Sequence, residues 1–130
     1  MILGTGVDII EIERVARIIE QYGDPFCQRL FTAREREYCS SLGSAKSRAQ
    51  CYAARFAAKE SFFKALGTGL RGGLKWTDVA VVHDERGKPV LYVEKEAEKR
   101  IREARISVMH VSLSHERTHA IAVVILETTP

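Results

Sequence analysis

Little in the chain commits it to an unusual environment. No apolar run approaches the length of a bilayer span, so no membrane helix is expected. The opening Met1-Ile-Leu-Gly-Thr-Gly lacks a basic segment ahead of an apolar one, which argues against a secretory signal. Cysteine is scarce: Cys27, Cys39 and Cys51 are spaced by twelve each time, without the close pairs of a zinc site. An odd number does not close a disulfide framework, so reduced thiols and a cytoplasmic location are expected. An excess of one charge is also missing: 20 Lys+Arg against 17 Asp+Glu leaves +3, too little for a dedicated nucleic-acid binder. There is no internal repeat, low-complexity stretch or linker, and 130 residues fit one domain, 1–130. So short a chain has little room for both a deep pocket and a lid. A cleft shared between subunits is the easier construction.

Periodicity supplies the elements. Ile2 to Val7 reads as a short buried strand ending at Asp8. Ile12, Val15, Ile19 and Tyr22 recur at helical spacing, with Arg14, Arg17 and Gln21 turned away and Gly23-Asp-Pro25 as a stop. Thr32-Ala-Arg-Glu35 is a capping-box pattern that opens a second helix, closed near Gly43. Ser44 to Gln50 is polar and reads as a loop or frayed helix start. A long helix then runs from about Ala49 to Leu66, with Gly67 as its C-terminal stop. Val79–His83 and Pro89–Val93 flank the turn Asp84-Glu-Arg-Gly87 and form a hairpin. Lys95 to Arg105 is a short amphipathic helix. Ser107 to Ser114 alternates, with Val108, His110, Ser112 and Ser114 on one face and Met109, Val111 and Leu113 on the other. Ala120 to Leu126 is continuously apolar and reads as a central strand. The expected class is α+β, a mostly antiparallel sheet packed against a long helix.

The chemistry concentrates in Arg55-Phe-Ala-Ala-Lys-Glu-Ser-Phe-Phe-Lys64 and the following Ala-Leu-Gly-Thr-Gly. Glu60 and Lys64 share a helix face with Phe56, so both charged heads sit beside apolar surface. Alone, such a pair is an ordinary exposed ion pair. Asp8, where a strand meets a helix, is alone as readily an N-cap as a functional acid. Two carboxylates without a nearby His or Cys suit a hard cation such as magnesium, with water and ligand phosphates completing its shell. The loop Gly67-Thr-Gly-Leu-Arg-Gly-Gly73 is not a P-loop, because it follows a helix C-terminus where the dipole repels phosphate. Lys64, Arg71 and Lys75 are the cations available to offset that. The polar stripe His110, Ser112, Ser114 is either a solvated face or the lining of a nucleotide pocket. Arg14 and Arg17 give the first helix a basic outer face, solvated or suited to an acidic partner helix. No nucleophile–base arrangement is visible.

Three segments together resemble the holo-acyl-carrier-protein synthases, the short bacterial 4′-phosphopantetheinyl transferases. They are Gly4-Thr-Gly-Val-Asp8-Ile-Ile-Glu-Ile-Glu-Arg14, Phe56-Ala-Ala-Lys-Glu60-Ser-Phe-Phe-Lys64-Ala-Leu-Gly-Thr-Gly69 and His110-Val-Ser-Leu-Ser-His115. They occur in order over nearly the whole chain; Ser44 to Gln50 fits least well. The resemblance implies transfer of 4′-phosphopantetheine from coenzyme A to a serine of apo acyl carrier protein, releasing adenosine 3′,5′-bisphosphate, in support of fatty acid biosynthesis. It implies magnesium on Asp8 and Glu60, Glu60 as proton acceptor directly or through water, and Lys64 on the phosphates. It places Gly67, Thr68, Gly69, His110 and Ser112 near the nucleotide, with Arg55 as a further phosphate contact and Arg14 and Arg17 against the carrier. It also implies a homotrimer with clefts between subunits. Two rivals differ in their signatures. A small RNA-binding module needs aromatics exposed on a sheet, and a metal-dependent phosphohydrolase needs a positioned water.

Overall fold

Two glycines decide how closely the first strand approaches the long helix. The computed structural model describes residues 1–129. Strand β1 (Ile2–Glu11) lays its even-numbered residues against α3 (Ala45–Leu66). A Cβ at Gly4 would stand 2.0 Å from Ala65 O, and one at Gly6 would stand 1.9 Å from Ser61 O. β1 pairs with β5 (His119–Thr128), which pairs with β4 (Ile106–His115), giving an antiparallel sheet ordered β1-β5-β4. The apolar run ending in Leu126 is thus the central strand. Ala120, Ala122, Val124 and Leu126 lie beneath α3, and Ser61 Oγ donates to Ala122 O at 3.0 Å.

Helix α3 is buried on most sides, because its alanines let neighbours approach closely. One core, around Phe62, Phe63 and Val124, fills the space between α3, the sheet and the hairpin β2 (Val79–His83)–β3 (Pro89–Val93). The other, around Phe31, Tyr52 and Val15, lies under α1 (Ile12–Leu30) and α2 (Ala33–Ser40). Helix α4 (Lys95–Glu103) follows the hairpin.

Several expectations are corrected. Asp8 does not end a strand: β1 continues to Glu11, which occupies the N-cap position of α1, so Asp8 is a mid-strand residue and no cap. Gly23-Asp-Pro25 does stop the first helical segment: Gly23 takes the non-helical φ 63, ψ −144, and a second segment, unforeseen from the sequence, follows at once to Leu30, the two together being α1. Tyr22 is exposed and lies off the apolar stripe. Residues 45–50 belong to α3, capped by Ser44, whose Oγ accepts from Ser47 N at 3.0 Å. The three thiols are not all reduced. Cys39 and Cys51 form a disulfide with Cα atoms 5.5 Å apart, and Cys27 is free and buried. The cause is topological: α2 turns back through 41–44 onto the start of α3, and a spacing of twelve spans that reversal.

The predicted capping box at Thr32 and Glu35 is present, but Glu35 does more than cap. Its Oε1 accepts from Thr32 N at 3.0 Å and from Lys59 Nζ at 2.7 Å; its Oε2 accepts from Val81 N at 3.1 Å. Lys59 also donates to Trp76 O and Val79 O. Both side chains are fully buried. Burial pulls the Lys59 pKa down, and the charge of Glu35 pulls it back. This pair joins α2, α3 and the start of β2 one residue before Glu60.

Candidate active site

Asp8 enters the site because strand alternation puts it on the α3 face, two residues beyond Gly6. Glu60 and Lys64 reach the same place from α3, one helical turn apart. Lys64 Nζ lies 3.3 Å from Asp8 Oδ1 and donates to Val7 O at 2.9 Å. Asp8 and Glu60 line a cleft of about 410 Å³ whose apolar wall includes Ile18, Phe26, Phe31 and Phe56. Burial pushes the Glu60 carboxyl above its ordinary 4.5; the negative charge of Asp8 pushes it further and Lys64 opposes both. Two acids that repel one another beside a lysine make a site suited to a divalent cation and an anionic ligand.

Arg14 lines the mouth of this cleft, whereas Arg17 lies outside it, largely exposed and 3.6 Å from Glu11. Gly67 ends α3 at φ 79, and Gly69 also has positive φ, so the loop Gly67-Thr68-Gly69 leaves the helix in a conformation that other residues resist.

Three expected residues lie elsewhere in the chain. Arg55 is five positions before Glu60, about 140° around the helix. It faces a separate cleft of about 390 Å³ shared with Tyr38, Cys51, His83 and His115. It is only 4% exposed, its guanidinium lies 4.9 Å from the Tyr38 ring centroid, and its Nε has no hydrogen-bond partner. His110 stands opposite Ile125 and Ser112 opposite Val123, on the sheet face turned away from α3. His110 is paired with Glu127. A single chain therefore unites Asp8, Glu60, Lys64 and Arg14, but not His110, Ser112 or Arg55. The open sheet face also exposes Val7, Ile9 and Val108.

Sequence reasoning missed the Phe26–Phe31 wall and the Glu35–Lys59 support. The available signal was Lys59 itself, set among Phe56, Ala57, Ala58 and Phe62, where an unpaired lysine would not stay.

Comparison with known proteins decides the family. Residues 4–124 match the family described as the 4′-phosphopantetheinyl transferase superfamily. A holo-[acyl-carrier-protein] synthase of Geobacter sp. (strain M21) is 52% identical over 127 residues, 98% of this chain and 99% of the relative. This chain belongs to the holo-acyl-carrier-protein synthase family. Among solved structures of holo-acyl-carrier-protein synthases, that from Bacillus anthracis, in complex with CoA (3′,5′-ADP), has a TM-score of 0.81 at 35% identity and covers 99% of both chains. That from Neisseria meningitidis has a TM-score of 0.85 at 33% identity, covering 98% of this chain and 100% of its own. The α+β architecture is that of these synthases.

Proposed function

We propose that this chain moves the 4′-phosphopantetheine arm of coenzyme A onto a serine of apo acyl carrier protein, releasing adenosine 3′,5′-bisphosphate, as a cytoplasmic step supporting fatty acid biosynthesis. The observation that carries the reading is that Asp8 from β1 and Glu60 from α3 line one cleft, with Lys64 of α3 paired to Asp8. The chain supplies anion-holding and proton-accepting groups and no nucleophile, which fits a nucleophile brought by the partner.

Asp8 and Glu60 would hold a magnesium ion. Both offer oxygen donors, and the Asp8 repulsion that adds to burial in raising Glu60 is relieved by a divalent cation. Among the described residues no group of three or more His, Cys, Asp or Glu forms a metal site, so water and ligand phosphates would complete the shell. When bound, the ion supplies neutralisation of diphosphate charge. Lys64 steadies the phosphates from one helical turn away. Glu60, held partly in its proton-accepting range by burial, takes the serine proton directly or through a water. The serine oxygen attacks the β-phosphorus, and the bond from that phosphorus to the bridging oxygen breaks. The Gly67-Thr68-Gly69 backbone lets the ligand approach closely.

The nucleotide end goes to Arg55, His110 and Ser112. These lie away from Asp8, so the reading includes a homotrimer in which one subunit's sheet face and Arg55 cleft meet a neighbour's Asp8–Glu60 cleft. The exposed aliphatic face of Val7, Ile9 and Val108 supports such an assembly. That face presents aliphatic side chains and no Phe, Tyr or Trp, which disfavours the RNA-binding rival. Arg14, with Arg17 further out, receives the acidic carrier. No described helix is long and apolar enough to cross a membrane.

Intact-protein mass spectrometry tests the reaction. Apo carrier incubated with the protein, coenzyme A and magnesium is expected to gain one phosphopantetheine mass. No gain, or release of phosphate from nucleotide without carrier, overturns the reading.

A further inference from the structure

The Cys39–Cys51 bond sits where it can act on the Arg55 cleft. Cys51 lines that cleft, together with Tyr38 and Leu42 on either side of Cys39 in sequence. Tyr38 underlies the Arg55 guanidinium at 4.9 Å and packs on the His83 ring with centroids 4.7 Å apart. The first turn of α2 is fixed independently, by Glu35 buried against Lys59 and Val81. Its last turn is held by the disulfide and by the Ser40–Tyr52 hydroxyl contact at 3.0 Å. Opening the disulfide would therefore remove the covalent tie on the end of α2 that carries Tyr38, leaving hydrogen bonds from Tyr52 and Arg48 to hold it, while the other end stays anchored.

The two sulfurs differ in access. Cys39 is fully buried, while Cys51 keeps 8% exposure toward the cleft. In a cytoplasmic protein a disulfide is usually transient or redox-sensing rather than a permanent staple.

We propose that Cys39–Cys51 is a thiol-exchange site, opened and closed by low-molecular-weight thiols entering through the Arg55 cleft, and that its state sets how firmly the cleft holds an anionic ligand. A thiolate attacks Cys51 Sγ, the Cys39–Cys51 bond breaks, and Cys39 leaves as a thiolate that takes up a proton. A second thiol attacks the mixed disulfide. Cys51 is released as a thiol, and the two small thiols depart as their own disulfide, having supplied two electrons. The reverse sequence, from small-molecule disulfide, restores the bond.

The cytoplasmic setting and the choice of ligand for the test rest on the function proposed above. Protein isolated without reductant, denatured and alkylated, is expected to carry one adduct, on Cys27; protein first exposed to reduced glutathione while folded is expected to carry three. Three adducts even after treatment with oxidised glutathione, or extra adducts that appear only when reductant acts on unfolded protein, overturn the proposal. Binding of adenosine 3′,5′-bisphosphate, which carries no thiol, is expected by calorimetry to weaken about fivefold on reduction, about 1 kcal/mol. The Cys39→Ser/Cys51→Ser variant is expected to match the reduced form and ignore glutathione, and Cys27→Ser to keep the response. If the double variant does not fold, reduced wild-type protein gives the same comparison. Equal affinity in the two states overturns the coupling. Failure of both states to bind adenosine 3′,5′-bisphosphate counts against the proposed function, while the adduct counts still decide the exchange.

Discussion

Replacing Gly6 by alanine separates the cost of the fold from the placement of Asp8. The new Cβ would sit 1.9 Å from Ser61 O and 2.8 Å from Ser61 C, against at least 3.4 Å for ordinary contact, so β1 and α3 must part by about 1.5 Å. Both colliding atoms are backbone inside a 22-residue helix, and no rotamer can relieve them. Overpacking of this kind costs about 1–3 kcal/mol or more, a large share of the roughly 5–15 kcal/mol that holds a domain together. Asp8 is two residues further along the same strand face, so it moves away from Glu60 with the strand. A misplacement of about 1 Å at reacting groups costs on the order of 100-fold in rate. Circular dichroism during urea denaturation measures the first effect, and carrier modification under conditions where the variant remains folded measures the second. The expected result is a lowered urea midpoint and, in the still-folded protein, transfer reduced about 100-fold. A Gly6→Ala protein with wild-type stability and turnover would refute the argument that glycine sets the β1–α3 distance.

Other expectations follow from single contacts. Glu60 has a folded-state pKa above its ordinary 4.5, so its ionisation works against the folded state. That penalty is absent below pH 4.5 and grows as pH rises through the folded value. In metal-free buffer Glu60→Gln is therefore expected to melt above wild type at pH 7, with the gap closing toward pH 4 although transfer is lost; a gap independent of pH contradicts the assignment. Lys59→Met leaves the Glu35 carboxylate buried without its cation and is expected to cost about 3–5 kcal/mol. The single tryptophan, Trp76, whose carbonyl accepts from Lys59, reports unfolding by fluorescence. A loss under about 1 kcal/mol would show that the pair does not hold the fold. Arg14→Glu is expected to raise the apparent KM for the carrier about tenfold while the KM for coenzyme A stays put, through charge repulsion at the cleft mouth. An unchanged carrier KM removes Arg14 from that role.

Much of the fold was legible because local chemistry and tertiary context agree. The hairpin residues match the expected ones because Asp84 Oδ1 accepts from Arg86 N and Lys88 N and Gly87 supplies φ 80, so the turn is self-contained. The alternation in β4 and the apolar run of β5 each report their own burial. What remained hidden depends on distance through space. Glu35 reads as a cap because one oxygen does cap; nothing local shows that its other oxygen reaches β2. The spacing of Cys39 and Cys51 carries no sign that α2 folds back on α3. Gly23 and Pro25 stop the first segment of α1 as they read, but nothing local shows that a second segment follows at once and packs Cys27 and Leu30 against the core. At the site, the Glu60–Lys64–Asp8 grouping follows from helix and strand periods, whereas the separation of Arg55 and His110 from it depends on which faces α3 and the sheet turn inward.

Manganese, a hard cation that stands in for magnesium at oxygen sites and is visible by electron paramagnetic resonance, gives the most direct test of a cation shared by Asp8 and Glu60. Titrated with coenzyme A present, the wild-type protein is expected to immobilise the ion. Asp8→Asn and Glu60→Gln are each expected to abolish that binding, and the double variant to be no worse than either. Wild-type-like manganese binding in both single variants would contradict the account.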